Sequence, residues 1–309
     1  MRLLTADWDT FSTVAVSIIV PVFDRVTRVS RFSSMTAGPY HSDRLTIIFR
    51  LFAFFIKRAE PCCRAMTLPA LVIVSVFATA VLSGILGMAG GMILMAILVS
   101  TLSVSAAMML HGAVQAMSNG SRTWFLREYV QWRILPPYLA GAALALAAFT
   151  ALAVVPDAGV VLILVGAMPF LARVTPRLNA LDMNHWPTAV SCGAVVTAAQ
   201  LLAGASGPLL DMFYLNSTPS RHAVVASKAI TQTLGHLLKL LYYGVLVGAV
   251  DALPWWLYVV AMATAVAGTR IGTRLLDRLP DETFRRVSGW VILAIAGVCL
   301  VQGVRVLST

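Results

Sequence analysis

The chain alternates long apolar runs with short polar and basic stretches from residue 68 onward. Several runs reach about 20 residues, the length that an α-helix needs to cross the hydrocarbon core of a bilayer. Hydropathy predicts about eight such segments, at residues 68–98, 104–121, 134–155, 158–172, 187–210, 222–247, 254–273 and 287–306. The pattern therefore predicts an all-α, polytopic helical membrane protein.

Glycine clusters interrupt the first and the fifth of these segments. The first contains Gly84, Gly87, Gly90 and Gly91, and the fifth contains the shorter sequence Gly204–Pro208. Glycine weakens a helix, and a broken helix frees backbone N–H and C=O groups that lipid cannot hydrogen-bond. Such breaks are typical of the discontinuous helices that line transporter sites. Close helix packing through small residues is the alternative explanation.

The two clusters belong to a longer internal similarity. A shift of 117 positions, the separation of Gly87 and Gly204, places polar residues on polar residues without a gap. The shift matches Gly87 with Gly204, Gly90 with Gly207, His111 with Lys228, Gln115 with Gln232, Asn119 with His236, Arg122 with Lys239 and Pro137 with Pro254. We therefore predict two homologous halves, each with an interrupted first segment. The predicted units are an N-terminal basic arm (1–65), a first membrane repeat (66–175), a linker (176–186) and a second membrane repeat (187–309).

A polar stripe runs along the segment that follows each break. One stripe contains His111, Gln115, Ser118, Asn119 and Arg122, and the other contains Lys228, Gln232, Gly235, His236 and Lys239 at the same offsets. A lysine in the middle of a span is costly, so Lys228 should face the bundle interior and meet a partner or a ligand. Gln115, Gln232 or a backbone carbonyl could be that partner. Arg122 and Lys239 lie near predicted helix ends, where we expect them to extend towards the membrane surface.

Composition agrees with a membrane protein, because 59% of the residues are hydrophobic, only 12% are charged and the mean hydropathy is +0.84. The net charge of +10 would suggest a nucleic-acid partner in a soluble protein. Here the arginines concentrate between apolar runs, where they fix topology and meet lipid headgroups, and no nucleic-acid motif is present. The four cysteines lack metal-ligand spacing, so we expect neither a metal nor another cofactor.

The predicted site favours an anion. A helix that resumes after a break presents unpaired N–H groups and a positive dipole end, and the repeat cores are poor in acidic residues. Asp211 beside the second break is the exception, and it marks either a loop end or a proton-coupling carboxylate. The predicted substrate-binding residues are Gly87, Gly90, Gly91, His111, Gln115, Asn119, Gly204, Gly207, Pro208, Lys228 and Gln232.

These motifs resemble the sulfite exporter TauE/SafE family, also called the toluene-sulfonate uptake permease family. The resemblance rests on G-x-x-G-x-x-G-G at Gly84–Gly91, G-x-x-G-P at Gly204–Pro208 and A-S-K-A at Ala226–Ala229, and it covers Leu68 to Val306. It implies a bacterial inner-membrane transporter that exports sulfite, sulfonates or related organic anions. Members usually carry three glycines where this chain has Gly90-Gly91-Met92, so the substrate could differ.

The sequence leaves open what drives transport and whether the chain is a transporter, an enzyme or a scaffold subunit. No G-x-x-x-x-G-K-[ST] motif occurs, so we predict a secondary transporter driven by a gradient, with protons through His111 or His236 as one coupling option. A membrane-embedded enzyme using His111, His185, His222 and His236 is one alternative, although these histidines lack ligand spacing. A scaffold subunit without transport is the other, and a homodimer is compatible with each. We predict that the chain is not an enzyme.

The N-terminal arm and the orientation are also open. Residues 1–65 could follow from a mis-assigned start, with translation from Met66, or could form a flexible cytoplasmic arm or an interfacial helix around Leu45 to Lys57. Eight plain crossings would place the arginines near Arg127 and those near Arg278 on opposite sides, against the positive-inside rule. We therefore favour halves that are inverted relative to each other.

Overall fold

The computed structural model describes residues 68–86, 89–174, 181–214, 220–248, 253–276 and 281–308. Ten α-helices and no β-strand occur in these residues, so the all-α prediction is confirmed. The helices are α1 (Leu68–Leu86), α2 (Ala89–Thr101), α3 (Val104–Phe125), α4 (Leu135–Leu152), α5 (Ala158–Val174), α6 (Trp186–Ala203), α7 (Gly207–Tyr214), α8 (Arg221–Leu241), α9 (Trp255–Leu276) and α10 (Asp281–Ser308). The N-terminal arm, Gly87 and the linker up to residue 180 lie outside the described residues.

Short irregular helices adjoin two of these elements. The 3₁₀ turns Arg127–Tyr129 and Trp132–Ile134 precede α4, and the π-helical turn Tyr242–Leu246 extends α8. The stretch Trp132–Leu152 and α6 are each long and apolar enough to cross a membrane, and shorter apolar stretches lie in α1, α2, α5 and α10. The predicted segment 68–98 contains α1 and most of α2, and segment 187–210 contains most of α6 and the start of α7. The number of membrane crossings stays a prediction.

The most extensive helix contacts join the N-terminal half of the bundle to the C-terminal half. They pair α1 with α9, α6 with α4, α3 with α8, and α5 with α10. The first helix of each half thus packs on the fourth helix of the other half. Because α3 carries one polar stripe and α8 carries the other, the third pair brings the two stripes to one interface.

Glycines allow the helices of the α4–α6 and α1–α9 pairs to pack with their backbones in close contact. A Cβ added to Gly141 would meet the carbonyl of Val190, and one added to Gly193 would meet the carbonyl of Tyr138. In the α1–α9 pair, a Cβ on Gly84 would lie 2.7 Å from the Cα of Gly272. Gly84 therefore serves helix packing, the alternative explanation for the first glycine cluster.

The second helix break lies between α6 and α7. Gly204 ends α6 in the left-handed conformation, with φ of 73°, and its N–H donates to the carbonyl of Gln200 at 2.9 Å. A Cβ at this position would also meet the sulfur atoms of Met95 and Met108. Backbone conformation and packing therefore both favour glycine here.

Candidate functional site

A cavity of about 30 Å³ lies among α1, α2, α3, α7 and α8. It is lined by Ser83, Gly91, Met92, His111, Gln115, Asn119, Arg122, Ala205, Ser206, Gly207, Gln232 and His236. The lining thus combines the first turn of α2, the second helix break and the middle of both polar stripes.

The predicted site residues that the structure describes divide into those that line the cavity and those that do not. Those that line the cavity are Gly91, His111, Gln115, Asn119, Gly207 and Gln232, whereas Gly90, Gly204, Pro208 and Lys228 do not line it, and Gly87 lies outside the described residues. Gly90 packs against α1, because an added Cβ would meet the backbone and side chain of Ser83. A Cβ on Gly91 would instead meet the amide group of Gln115, so this glycine leaves room for a polar side chain of the cavity.

His111 and Lys239 form a buried hydrogen-bonded pair beside the cavity. The Nε2 atom of His111 lies 2.9 Å from the carbonyl oxygen of Gly91, which can only accept. Nε2 therefore carries the proton, and Nδ1 accepts a hydrogen bond of 2.9 Å from Nζ of Lys239. Nζ also donates to the carbonyl oxygen of Gly204 at 2.9 Å.

The expectation that Lys239 and Arg122 extend towards the membrane surface is wrong. The side chain of Lys239 is 0% exposed, because α8 continues through the π-helical turn beyond it and its ammonium meets the end of α6. Arg122 is half-buried and lines the cavity. A cation that is buried in this way must be compensated by hydrogen bonds or by a ligand.

Lys228 forms an ion pair with Asp211 and is not part of the cavity lining. Asp211 lies inside α7 rather than at a loop end. The carboxylate of Asp211 neutralises the positive charge of Lys228, which the sequence had placed in the substrate site. The side chain of Lys228 is 22% exposed and that of Asp211 is 38% exposed, so the ion pair is only partly buried.

We expect the Lys228–Asp211 pair to contribute about 1 kcal/mol to stability, because ion pairs that stay partly exposed are weak. Lys228→Met and Asp211→Asn should each lower the midpoint of thermal unfolding in detergent. The double variant should lose less than the sum of the two single losses, since the second change removes a charge that has already lost its partner. Strictly additive losses would contradict the pairing.

Several buried polar atoms near the cavity have no partner within the described part of the chain. They include Nδ1 of His236, which is 4% exposed and lines the cavity, and Nε2 of Gln200, whose Oε1 accepts from Ser206 at 2.7 Å. The rings of His111 and His236 lie 5.4 Å apart between centroids. Because unpaired buried polar groups are costly, Nδ1 of His236, which belongs to the lining, is available to a small polar ligand.

The charge of the lining is positive. Arg122 contributes a guanidinium, Lys239 contacts the side of His111 that faces away from Gly91, and no Asp or Glu occurs among the lining residues that the structure describes. No group of three or more His, Cys, Asp or Glu side chains in the described ranges is placed to hold a metal ion. The cavity can therefore accept an anion through side-chain N–H and O–H donors.

A family model described as "Sulfite exporter TauE/SafE" matches residues 71–298, which is most of the chain. The chain belongs to the sulfite exporter TauE/SafE family. No curated protein and no solved structure shows significant similarity to it. Since TauE/SafE proteins are membrane transporters of sulfur-containing anions, the chain is a membrane transporter, and the predicted family is confirmed.

The sequence interpretation missed several residues that line the cavity of this TauE/SafE protein. His236 occupies the stripe position that matches Asn119, which was included, so the internal similarity could have added it. Arg122 belonged to the first stripe but was assigned to a helix end. Ser83 and Ser206 carried no signal, because serine is common among tightly packed membrane helices.

Proposed function

We propose that this chain carries a small sulfur-containing oxyanion, such as sulfite, through the cavity between its two helix breaks. The observation that carries the proposal is the composition of the lining, which offers hydroxyl, amide, imidazole and guanidinium groups and, among the residues described, no carboxylate. Such donors suit an anion with several oxygen atoms, and a guanidinium supplies both charge and directed hydrogen bonds.

The helix breaks support the same substrate charge. Gly91 in the first turn of α2 and Gly207 at the start of α7 both belong to the cavity lining. The first residues of a helix carry N–H groups without helical partners and the positive end of the helix dipole. Two such helix starts at one cavity add to the attraction that the positive charge of Arg122 exerts on an anion.

The cavity volume favours a compact ion. A volume of about 30 Å³ has room for a species of only a few atoms. Sulfite and related small oxyanions are therefore better candidates than aromatic sulfonates in this conformation.

We further propose that the two halves are homologous and inverted, and that their relative movement opens the site to each side in turn. The helices α1, α3 and α4 correspond to α6, α8 and α9 when the sequence is shifted by 117 positions. The reciprocal packing of α1 on α9 and of α6 on α4 is the arrangement that a pseudo-two-fold axis would produce. Cysteines introduced near Arg127 and Arg278 should then be labelled from the same side of the membrane.

The protein would act as a secondary transporter of the inner membrane, without catalysis or a cofactor, and would move its substrate outwards. Coupling to protons is supported by the two histidines in the lining. A homodimer is compatible with this mechanism, because each chain contains a complete cavity.

The direct test is transport into proteoliposomes that contain the purified full chain. We expect flux of radiolabelled sulfite above that of empty liposomes, with competition by sulfate or short sulfonates and little by acetate. Gln115→Leu and Gln232→Leu should each raise KM about tenfold, because each removes a hydrogen-bonding group from the cavity. Leu144→Ala serves as the control, since Leu144 is 66% exposed and outside the cavity. Absence of flux for every oxyanion would refute the proposed function.

A further inference from the structure

One chain of hydrogen bonds joins the two helix breaks. It runs from the carbonyl of Gly91 in α2 to His111, from His111 to Lys239, and from Lys239 to the carbonyl of Gly204 at the end of α6. Both side chains are 0% exposed. These hydrogen bonds therefore connect the start of α2 to the end of α6 by way of α3 and α8.

As long as Lys239 is an ammonium, these hydrogen bonds require a neutral His111. The Gly91 carbonyl requires a proton on Nε2, and the ammonium of Lys239 requires a lone pair on Nδ1. A second proton on the imidazole would place an N–H against the ammonium and two positive charges at hydrogen-bond distance. Because the pair is removed from water, that repulsion would not be screened.

We infer that Lys239 is a positioning residue, which acts through His111 to hold the two helix breaks in the geometry that binds the anion. This inference rests on the proposed function, because it concerns the same cavity. Lys239 does not line the cavity, whereas His111 does, so the effect of the lysine reaches the substrate through the imidazole and through the Gly204 carbonyl.

His111 links three helices of the bundle. On α8 it faces Lys239 and the imidazole of His236, on α2 it faces the Gly91 carbonyl, and on its own helix it lies one turn from Gln115. A change at Lys239 therefore reaches the first turn of α2 through the imidazole.

The experiment measures KM for radiolabelled sulfite in proteoliposomes with equal pH on both sides. Lys239→Met removes both donated hydrogen bonds and should raise KM about tenfold, whereas Lys239→Arg keeps the charge and the donors and should stay within about threefold. His111→Gln alters the lining itself and should also raise KM. The double variant Lys239→Met/His111→Gln should raise KM by less than the product of the two single increases, because the lysine acts through the imidazole.

KM is compared at a single pH, because sulfite itself changes protonation near neutral pH. A rise in KM for the double variant that equals the product of the two single increases would overturn the inference, because the two side chains would then act independently.

The outcomes separate this inference from the proposed function. If the unmodified chain transports sulfite and Lys239→Met matches it in KM, only the positioning role is wrong. If the unmodified chain transports no oxyanion, both proposals fail. Should Lys239→Met not yield folded protein, Lys239→Gln, whose side chain is shorter than that of lysine, takes its place: a KM about tenfold higher supports the positioning role, and an unchanged KM overturns it.

Discussion

Gly141→Ala is expected to destabilise the protein by about 3 kcal/mol, the largest effect on stability that we predict for a single methyl group. Gly141 on α4 faces the carbonyl of Val190 on α6, and the added Cβ would overlap that backbone atom. A backbone carbonyl cannot rotate away as a side chain does. The two helices would have to separate, which would also disturb the matching contact of Gly193 with Tyr138.

The loss can be measured through Cys192, which is fully buried on α6 next to this contact. In a chain with Cys62 and Cys63 replaced by serine and Cys299 by alanine, the temperature at which Cys192 becomes reactive to a thiol reagent in detergent reports unfolding. Gly297→Ala is the matched control, because an added Cβ on Gly297 in α10 meets no atom within 4 Å. That variant should be neutral or more stable by up to about 1 kcal/mol. Equal effects of the two variants would contradict the packing explanation.

Arg122→Gln is expected to raise the KM for sulfite by about 100-fold, the largest functional effect, because it removes the one permanent charge among the described residues that line the cavity. Glutamine retains hydrogen-bonding capacity and similar length, so most of the loss should reflect charge. Arg122→Lys keeps the charge but not the planar, two-pronged donor, and it should give an intermediate KM.

Arg127→Gln provides the control for a change in net charge. Arg127 is exposed beyond the end of α3, with its guanidinium carbon 5.0 Å from the centre of the Trp124 ring. Its replacement should leave KM unchanged within about twofold, because exposed charges are screened by salt. If both variants raised KM equally, the effect would be a property of the overall charge rather than of the cavity.

The helical class, the family and the general region of the cavity could be predicted from the sequence. Three features of the sequence made these predictions possible. Apolar runs of membrane length are hard to mistake, and glycines within them are costly enough to indicate a structural purpose. The polar stripes were equally informative, since helical spacing alone places His111 and Gln115 on one face.

The lysine assignments failed for a geometric reason. Lys228 and Lys239 lie on the same stripe, but they are separated by about 16 Å along a helix with a rise of 1.5 Å per residue. Only the tertiary position of α6 and α7 decides which one meets a carboxylate and which one meets a carbonyl at a helix break. Sequence spacing specifies the face of a helix but not the depth at which another helix ends.

The same limit applies to the glycines. Gly84, Gly90 and Gly91 are close in sequence, yet they face α9, α1 and the cavity, respectively. Which glycine serves packing and which leaves space for Gln115 depends on the neighbours that each Cβ position would meet. Those neighbours come from elements far along the chain, and no local pattern identifies them.

The reciprocal packing of first and fourth helices also constrains how the protein is made. During synthesis at about 5–20 residues per second, α1 waits for about 170 further residues before α9 emerges, a delay on the order of 10 to 30 seconds. Throughout that interval its glycine face has only lipid or a chaperone to contact. Slowing or truncating translation before Trp255 should therefore leave an inserted but unpaired first helix, which makes this stage the most vulnerable to quality-control proteases.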